Sequence, residues 1–275
     1  MSSNLNFYKN KVADIWPNDQ EISKEFIFYL KEHLNLKDTS IYIDKDYLLS
    51  NDEQEGIEEF INHKKDGLPL DYILKKSFFY GNEFLVDQRV LIPRSETELL
   101  VDHINTLNFP NNIKILDAGT GSGCIGISIA MHNPNIQVYG LDYSAKSLEV
   151  AKANKNYFEL NNFSLIHSDW LSSIKDRSID FIVSNPPYID SQDIHLKDLI
   201  HEPASALVAS DSGLGDFKVI SQQASLKLRK GGVLIFEHGY QQASEVSKIM
   251  KKNGFNNIET FKDHQSHPRI TKGII

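Results

Sequence analysis

The chain has 275 residues, of which 40% are hydrophobic and 24% charged, as in ordinary globular proteins. The formal net charge is −8, and there is one cysteine, Cys124, which excludes an intrachain disulfide. The sequence has no basic-then-apolar leader and no apolar run near the ~20 residues that span a membrane. We therefore expect a cytoplasmic protein of one large domain or two smaller ones, with no membrane partner.

The first 75 residues have helical spacing and no recognisable chemistry. Asn18 with Glu21 three residues later resembles a capping box, and Ser50 with Glu53 makes a second such start. Residues 1–80 contain 10 Lys and Arg against 15 Asp and Glu, which makes a poor surface for a phosphate backbone. We expect residues 1–75 to form a small helical domain that docks a protein or small-molecule partner or has a structural role.

The pattern changes from helix to strand after residue 75. Two aromatic and β-branched runs flank Gly81-Asn82, which predicts a β-hairpin. We interpret residues 76–93 as a hairpin linker and residues 94–275 as a second domain.

The second domain alternates short apolar runs with helical stretches. This alternation predicts an α/β fold, a doubly wound and mainly parallel sheet with helices on both faces. The last two strands have no full helix between them and are expected to form an antiparallel hairpin at one edge. The seven predicted strands are Ile113–Asp117, Ile136–Asp142, Phe163–His167, Ile179–Ser184, Val233–Glu237, Asn257–Phe261 and Ile270–Ile275.

The first strand of this domain leads into a glycine-rich loop, Gly119-Thr120-Gly121-Ser122-Gly123. Glycines permit a tight turn and let a ligand approach the backbone at the carboxyl edge of the sheet, where open α/β folds bind ligands. NAD sites use a similar pattern. Here the spacing is Gly-x-Gly-x-Gly, and Asp117 just before the loop would repel a pyrophosphate but could face a cationic amino-acid group. Both details favour S-adenosylmethionine over NAD.

Acidic and aromatic residues end the next two strands. Asp142 is placed to accept hydrogen bonds from ribose hydroxyls. Asp169 could meet an adenine amino group, and the indole of Trp170 could cover the ring face. These residues extend the predicted cofactor site.

Asn185-Pro186-Pro187-Tyr188 directly follows the apolar run 181–183. Neither proline can donate an N–H, and their rings hold the loop extended. The result is a rigid pocket of hydrogen-bond acceptors with an aromatic wall, which suits a planar group that carries an NH2. Asn185, Pro186 and Tyr188 are the candidate catalytic residues, with Pro187 in the same substrate pocket.

Together these motifs resemble class I S-adenosylmethionine-dependent methyltransferases of the Asn-Pro-Pro-Tyr type. More narrowly, the chain is similar to the peptide chain release factor N5-glutamine methyltransferases (the PrmC/HemK family) from Leu70 onward. The supporting segments are Leu70–Leu74, Phe79–Val86, Val90–Glu98 and His201–Leu207.

The resemblance implies a Rossmann-like domain, a helical N-terminal domain that helps to recognise release factors, and S-adenosylmethionine as cofactor. The implied substrate is the glutamine of the release factors' Gly-Gly-Gln loop, held by Asn185 to Tyr188. Asn185 would also border the cofactor, which Gly119 to Gly123, Asp142 and Trp170 would hold. The implied enzyme is a monomer that needs no direct nucleic-acid contact.

Three residues depart from the family pattern. We expect glycine in place of Lys75, proline in place of Ser95, and aspartate in place of Pro268. None of them touches the predicted chemistry, although the last affects the final hairpin.

Four charged residues have two readings each. Arg94, Glu96 and Glu98 are expected either to bind substrate or, as we favour, to tie the linker to the second domain. Glu202 either rims the pocket or caps a helix.

His264 and His267 lack a further close ligand, so no metal site is expected.

Three rival functions remain open on the motifs alone. The Asn-Pro-Pro-Tyr pocket also suits an exocyclic amine of a nucleic-acid base, although the acidic charge disfavours nucleic acid. A nicotinamide dehydrogenase would bind NAD at the glycine loop. A non-catalytic adaptor would keep the fold without turnover.

Overall fold

The computed structural model describes residues 4–44, 46–107, 109–110 and 112–275. The chain divides into two compact units, the first ending at Lys75 and the second running from Lys76 to Ile275. Within the described residues, no helix has both the length and the apolar character that a bilayer crossing requires.

The first unit is helical. Its core packs Phe26 and Tyr29 against Phe60, with the Tyr29 and Phe60 ring centroids 4.8 Å apart. These aromatic rings are fully buried, and large buried rings dominate the packing energy of small cores. Its helices are α1 Leu5–Ile15, α2 Gln20–Glu32, α3 Asn51–Lys65 and α4 Leu70–Leu74, with a π-helical turn at Thr39–Ile43.

One of the two predicted helix starts is confirmed. Ser50 and Glu53 form a reciprocal capping box at the start of α3. The other was wrong by one residue, because Asp19 caps α2 through its Oδ1, which accepts from two backbone amides. Asn18 instead adopts a left-handed conformation with φ of 66° in the turn before it, a role that asparagine tolerates well.

The departures from the family pattern have local explanations. Lys75 ends α4 in the left-handed region (φ 58°), where glycine is the unstrained residue. Ser95 opens a 3₁₀ turn, a position that suits proline. Pro268 is the first residue of its strand, where a missing N–H is tolerated, and its partner Lys262 follows an irregularity in the register.

The second unit begins with the predicted hairpin, which is confirmed. Its strands are β1 Lys76–Phe79 and β2 Asn82–Leu85. They pair in antiparallel register with Phe79 opposite Asn82, so that Tyr80 and Gly81 make the turn. Phe79 and Phe84 bury their rings in the core of the second unit.

A seven-stranded sheet forms the centre of the second unit, as predicted. The strands of the second unit after the hairpin are β3 Lys114–Ala118, β4 Gln137–Asp142, β5 Phe163–His167, β6 Ile179–Ser184, β7 Ile189–Asp190, β8 Val208–Ala209, β9 Leu228–Glu237, β10 Asn256–Lys262 and β11 Pro268–Ile274. The order in the sheet is β10-β11-β9-β6-β3-β4-β5, and its strands pair in parallel except that β11 is antiparallel to both of its neighbours, β9 and β10. Strands β7 and β8 form a separate short pair.

Helices and two hydrophobic clusters cover the sheet. The helices are α5 Glu98–Asn105, α6 Cys124–His132, α7 Ala145–Tyr157, α8 Ala204–Leu207, α9 Ser210–Gly213, α10 Gly215–Lys227 and α11 Ala243–Lys252, with 3₁₀ turns at Ser95–Thr97 and Ile194–Leu199.

The predicted strand bounds agree with the structure within two residues, except at β9. That strand begins at Leu228, five residues before the predicted Val233. Leu228 already pairs with Ile179, and a register shift follows before Phe181 pairs with Val233. The glycines Gly231 and Gly232 in this stretch concealed the strand, because glycine is depleted in strands.

The sheet order reverses between β3 and β6. Strands β4 and β5 lie on one side of β3, whereas β6 and β9 lie on the other. Open α/β sheets bind ligands outside the carboxyl ends of the strands at such a reversal. The glycine loop follows β3 and Asn185 follows β6, so both predicted motifs lie at this point.

Candidate active site

The glycine loop turns sharply at the end of β3. Gly119, Gly121 and Gly123 have φ of 78°, 55° and 86°, in the region that side chains strain to adopt. The amides of Gly119 and Thr120 both donate to the carbonyl of Leu141 at 2.8 Å, which ties the loop to β4. Gly123 caps the start of α6.

Asp117 supports this loop from below. Its side chain is fully buried, and its Oδ2 accepts from Thr120 Oγ1 at 2.6 Å and from the Gly126 amide at 3.0 Å. Burial raises the pKa of Asp117 to about 7, although these two hydrogen bonds oppose the shift. The structure thus gives Asp117 a role in shaping the loop, and the expectation that it faces a cationic ligand stays a prediction.

Asp142 lies where the sequence placed it, at the end of β4. Its Oδ2 accepts from the Gly121 amide at 2.9 Å, and its Oδ1 accepts from the Ser144 amide at 2.8 Å. Burial raises the pKa of Asp142, and these backbone hydrogen bonds oppose the shift. The carboxylate both clamps the loop and keeps acceptor lone pairs available for a ligand.

The indole of Trp170 lies over the glycine loop. A Cβ added to Gly119 would come within 3.2 Å of the Trp170 ring, a tight contact, and the φ of 78° also favours glycine at this position. The indole hydrogen-bonds to Asp216, whose pKa is raised by burial and by the neighbouring Asp169. Asp169 is exposed beside it. A flat indole ring with two carboxylates beside it suits a nucleobase that carries an amino group.

A cavity of about 520 Å³ brings these residues together. Of the predicted cofactor residues, Gly119, Gly121, Asp142, Asp169, Trp170 and Asn185 line it. Thr120 and Ser122 are buried, and a Cβ on Gly123 would meet Ile127 at 2.8 Å. The structure therefore places these last three residues in the packing of the loop.

A second cavity, of about 340 Å³, lies on the other side of Asn185. Pro186 and Tyr188 line this cavity, whereas Pro187 lines the first. Asn185 borders both cavities, together with Leu91 and Ala206. The two spaces therefore adjoin at a set of residues that includes the predicted Asn185.

The side chain of Asn185 is held from the protein side. Its Nδ2 donates to Thr97 Oγ1 at 3.1 Å. A buried carboxyl, Glu237, lies in the same cluster, where the polar groups of Thr97 and Asn185 lower its pKa and so favour its ionised form. With its NH2 group engaged, Asn185 has its Oδ1 available as an acceptor for a ligand.

Tyr188 forms an uncharged wall of the second cavity. Burial is the main cause that raises the pKa of Tyr188 to about 12, and the charge of Glu237 adds to the shift. Its carbonyl accepts from Gln242 Nε2 at 3.0 Å, which fixes the loop after β6. The phenol stays protonated near neutral pH, so Tyr188 is not a base for the reaction.

The charged residues before α5 hold segments of the second unit together. Arg94 forms an ion pair with Glu202, which also accepts from the Ile92 amide at 3.1 Å. Glu98 accepts from the Tyr80 amide at 2.8 Å and so ties the hairpin to α5. Because Arg94 also lines the second cavity, both of its predicted roles are compatible with this geometry.

Three buried or half-buried residues were missed by the sequence analysis: Thr97, Asp216 and Glu237. Glu237 is an acid at the end of β9, just as Asp142 is an acid at the end of β4. The strand-end rule that predicted Asp142 would therefore have predicted Glu237 as well. Thr97 lies in the Ile92–Glu98 segment that marked the family resemblance. Asp216 begins a helix remote in sequence, and no local signal distinguishes it.

Among the described residues, no group of three or more His, Cys, Asp or Glu side chains is arranged to hold a metal.

Comparison with known proteins identifies the family. The family model described as "Methyltransferase small domain" matches residues 95–266. A release factor glutamine methyltransferase of Shewanella oneidensis is 34% identical over 87% of this chain and 85% of its own length. The chain belongs to the release factor glutamine methyltransferase family. One from Buchnera aphidicola is also 34% identical and covers 98% of both chains.

Solved structures agree on the fold. A methyltransferase from Pyrococcus furiosus, 13% identical, covers 82% of this chain and 98% of its own, with a TM-score of 0.54. A 16S rRNA methyltransferase from Thermus thermophilus, solved with AdoMet and guanosine, is 17% identical, covers 72% of this chain and 49% of its own, and has a TM-score of 0.52. At these identities the likeness shows the Rossmann-like methyltransferase fold alone.

The first cavity fits S-adenosylmethionine, the cofactor of this methyltransferase family. The glycine backbone leaves space beside Gly121, where a Cβ would meet nothing within 4 Å. Asp142 offers carboxylate oxygens suited to ribose hydroxyls, and Trp170 offers a flat face suited to adenine. The chemistry of the lining therefore matches each part of the cofactor's nucleoside.

Proposed function

We propose that this enzyme methylates the side-chain amide nitrogen of the glutamine in the Gly-Gly-Gln loop of peptide chain release factors, using S-adenosylmethionine. The observation that supports this most directly is the meeting of two cavities at Asn185. One cavity suits a nucleoside, and the other is a smaller, mainly apolar pocket that the Asn-Pro-Pro-Tyr loop and Arg94 also line. A methyl donor in the first cavity and a planar amide in the second would therefore lie close to Asn185.

The chemistry asks mainly for positioning. A carboxamide nitrogen is a weak nucleophile, because its lone pair is delocalised into the carbonyl. S-adenosylmethionine would supply an already activated methyl group on its sulfonium and leave as S-adenosylhomocysteine. The methylated amide nitrogen would then lose one proton to water or to a carbonyl acceptor. Holding two reacting groups in line supplies several kcal/mol, with ideal intramolecular cases at about 7–11 kcal/mol. A rigid acceptor pocket is what such a reaction requires from the protein.

The Asn-Pro-Pro-Tyr loop supplies that pocket. The Asn185 Oδ1 and the Pro186 carbonyl would each accept one hydrogen of the substrate amide. Both hydrogen bonds strengthen as positive charge grows on the nitrogen, so they stabilise the transition state more than the ground state. The uncharged ring of Tyr188 would pack against the amide plane.

The cofactor is proposed to lie in the first cavity. Gly119 and Gly121 would approach it through the backbone, Asp142 would accept from the ribose, and Trp170 would cover the adenine. Asp216 and Asp169 flank the indole and would face the adenine amino group. Thr120, Ser122 and Gly123 would act indirectly by holding the loop.

The protein substrate is proposed to dock on the first unit, residues 1–75, as well as on the acceptor cavity. The acidic charge of residues 1–80 and the net charge of −8 disfavour binding to nucleic acid. We propose that the enzyme works as a monomer in the cytoplasm, where its single cysteine stays reduced. Light scattering of the purified protein would test the monomer.

Methyl transfer from labelled S-adenosylmethionine tests the proposal. The enzyme is incubated with purified release factor, with a release factor whose loop glutamine is replaced by alanine, and with nucleic acid. We expect label in the first sample alone, and mass spectrometry of the digested factor should place one added methyl on that glutamine. Transfer to nucleic acid, or transfer that ignores the loop glutamine, would overturn the assignment.

A further inference from the structure

A buried cluster behind the acceptor pocket has no part in the mechanism so far. Thr97 is 3% exposed and Glu237 is 1% exposed, Thr97 contacts Asn185, and neither residue lines either of the two cavities. The Oε2 atom of Glu237 is buried without a hydrogen-bond partner. Burying an ionisable group with an unpartnered oxygen costs folding free energy, which indicates a function for Glu237.

The hydrogen-bond roles within this cluster follow from the chemistry of a carboxylate. An ionised Glu237 can only accept, so Thr97 must donate its hydroxyl hydrogen toward it. The Thr97 oxygen is then free to accept, and it accepts from Asn185 Nδ2 at 3.1 Å. Asn185 also favours the ionised form of Glu237. The cluster therefore places acceptors beside the NH2 end of the asparagine.

We infer that Thr97 and Glu237 are positioning residues, which hold the Asn185 amide with its NH2 group turned into the protein and its Oδ1 turned to the substrate. An asparagine amide is nearly symmetric in shape, so packing alone does not select between its two orientations. The reversed orientation would present a donor to an amide NH2 and repel the substrate. The inference rests on the proposed function, because it concerns the orientation of that pocket.

Protonation of Glu237 would weaken the selection. A neutral carboxyl can donate to Thr97, which can then donate to Asn185 and stabilise the reversed amide. Burial raises the pKa of Glu237 to about 7, and Glu96 also raises it, while Thr97, Arg269 and Asn185 lower it. Tyr188, the remaining titratable neighbour, stays neutral across this range. Turnover should therefore rise as pH increases through about 7.

The test compares two substitutions at one position. Thr97→Val keeps the shape of the side chain and removes the hydroxyl, whereas Thr97→Ser keeps the hydroxyl. We expect Thr97→Val to lower kcat 10- to 100-fold with less than a 3-fold change in S-adenosylmethionine Kd, and Thr97→Ser to recover most of that loss. Equal losses in both variants, or a kcat of Thr97→Val within 2-fold of the wild type, would overturn the inference.

Glu237→Gln gives a second readout. It should lower kcat about as much as Thr97→Val does. It should also flatten the rise of kcat between pH 6 and 8, since glutamine cannot ionise. A preserved rise would overturn the inference. Thr106→Val is the matched control, because Thr106 Oγ1 donates to a backbone carbonyl at the exposed end of α5, at 2.9 Å.

A measurement without substrate separates this inference from the proposed function. In protein labelled with ¹⁵N-asparagine, the side-chain NH2 signals of Asn185 should shift with pH with a midpoint near 7, and Glu237→Gln should abolish the shift. A shift without any transfer to release factor would reject the proposed function alone. Transfer to release factor with no such shift would reject the role of Glu237.

Discussion

Two buried acids in this enzyme illustrate how similar groups serve different ends. Burial raises the pKa of Asp117 and of Glu237 to about 7, and each has one oxygen without a partner. Asp117 bonds to Thr120 and Gly126 and so shapes the cofactor loop. Glu237 lies instead in the cluster of Thr97 and Asn185, and Asn185 borders both cavities. Burial raises the pKa of both acids similarly, but one acid holds a backbone, whereas the other is proposed to orient Asn185.

Among the variants that test this comparison, Asn185→Ala should cause the largest loss of kcat. Removing one polar group that stabilises developing charge in a closed site typically costs about 10²–10³ in kcat. We expect a kcat loss of that order with S-adenosylmethionine Kd changed by less than about 5-fold, measured by steady-state kinetics and calorimetry. Asn253→Ala is the control, since Asn253 bonds only the end of α11. A near-normal kcat in Asn185→Ala would remove this residue from the mechanism.

Asp117→Ala should mainly weaken the fold and cofactor binding. It leaves the Gly126 amide and the Thr120 hydroxyl without their partner, at a cost of about 1–3 kcal/mol for each buried group. We expect the free energy of unfolding in urea to fall by about 2–4 kcal/mol and the S-adenosylmethionine Kd to rise about 10-fold.

Asp117→Asn is the matched variant, because its amide oxygen can keep both hydrogen bonds. It should retain most stability and most of kcat, whereas the corresponding Glu237→Gln change should lower kcat. If both neutral variants behave alike, the distinction between the two acids is wrong.

Asp117 and Glu237 should both contribute to the pH dependence of the free energy of unfolding. The unfolded chain releases their protons near pH 4, whereas the folded chain holds them to about pH 7. Their contribution to stability is complete below about pH 4 and is lost as pH rises through about 7. Urea unfolding should show a decrease of a few kcal/mol from pH 5 to 8, because one pKa unit corresponds to about 1.4 kcal/mol. Asp117→Asn should remove a large part of that decrease.

Much of the fold could be predicted from the sequence because its signals are local. Hydrophobic runs and their spacing located all seven strands of the sheet, and the turn at Gly81 located the hairpin. The misplaced cap at Asn18 shows the limit of such reasoning. Asn18 and Asp19 are both good caps by type, and only the backbone conformation distinguishes them.

The site was predictable only where a residue lines the cavity from the end of its own strand. Asp142 and Asn185 fall under that rule. The supporting residues Thr97 and Glu237 are distant from Asn185 in sequence and meet it only through the pairing of β6 with β9 and the position of the turn before α5. The support that Asp117 gives to the loop could not be predicted, because sequence shows that an acid precedes the loop but not which way its side chain turns.

Trp170→Phe should have the smallest effect and tests the cofactor side of the comparison. Phenylalanine keeps an aromatic face over Gly119 but loses the indole N–H that bonds to Asp216. A hydrogen bond of this kind contributes about 1 kcal/mol, so S-adenosylmethionine should bind about 5-fold more weakly with kcat nearly unchanged. The chain has two tryptophans, so Trp16→Phe is the control. Fluorescence quenching by the cofactor should persist in Trp16→Phe and vanish in Trp170→Phe. Quenching that survives in Trp170→Phe would place the adenine away from this indole.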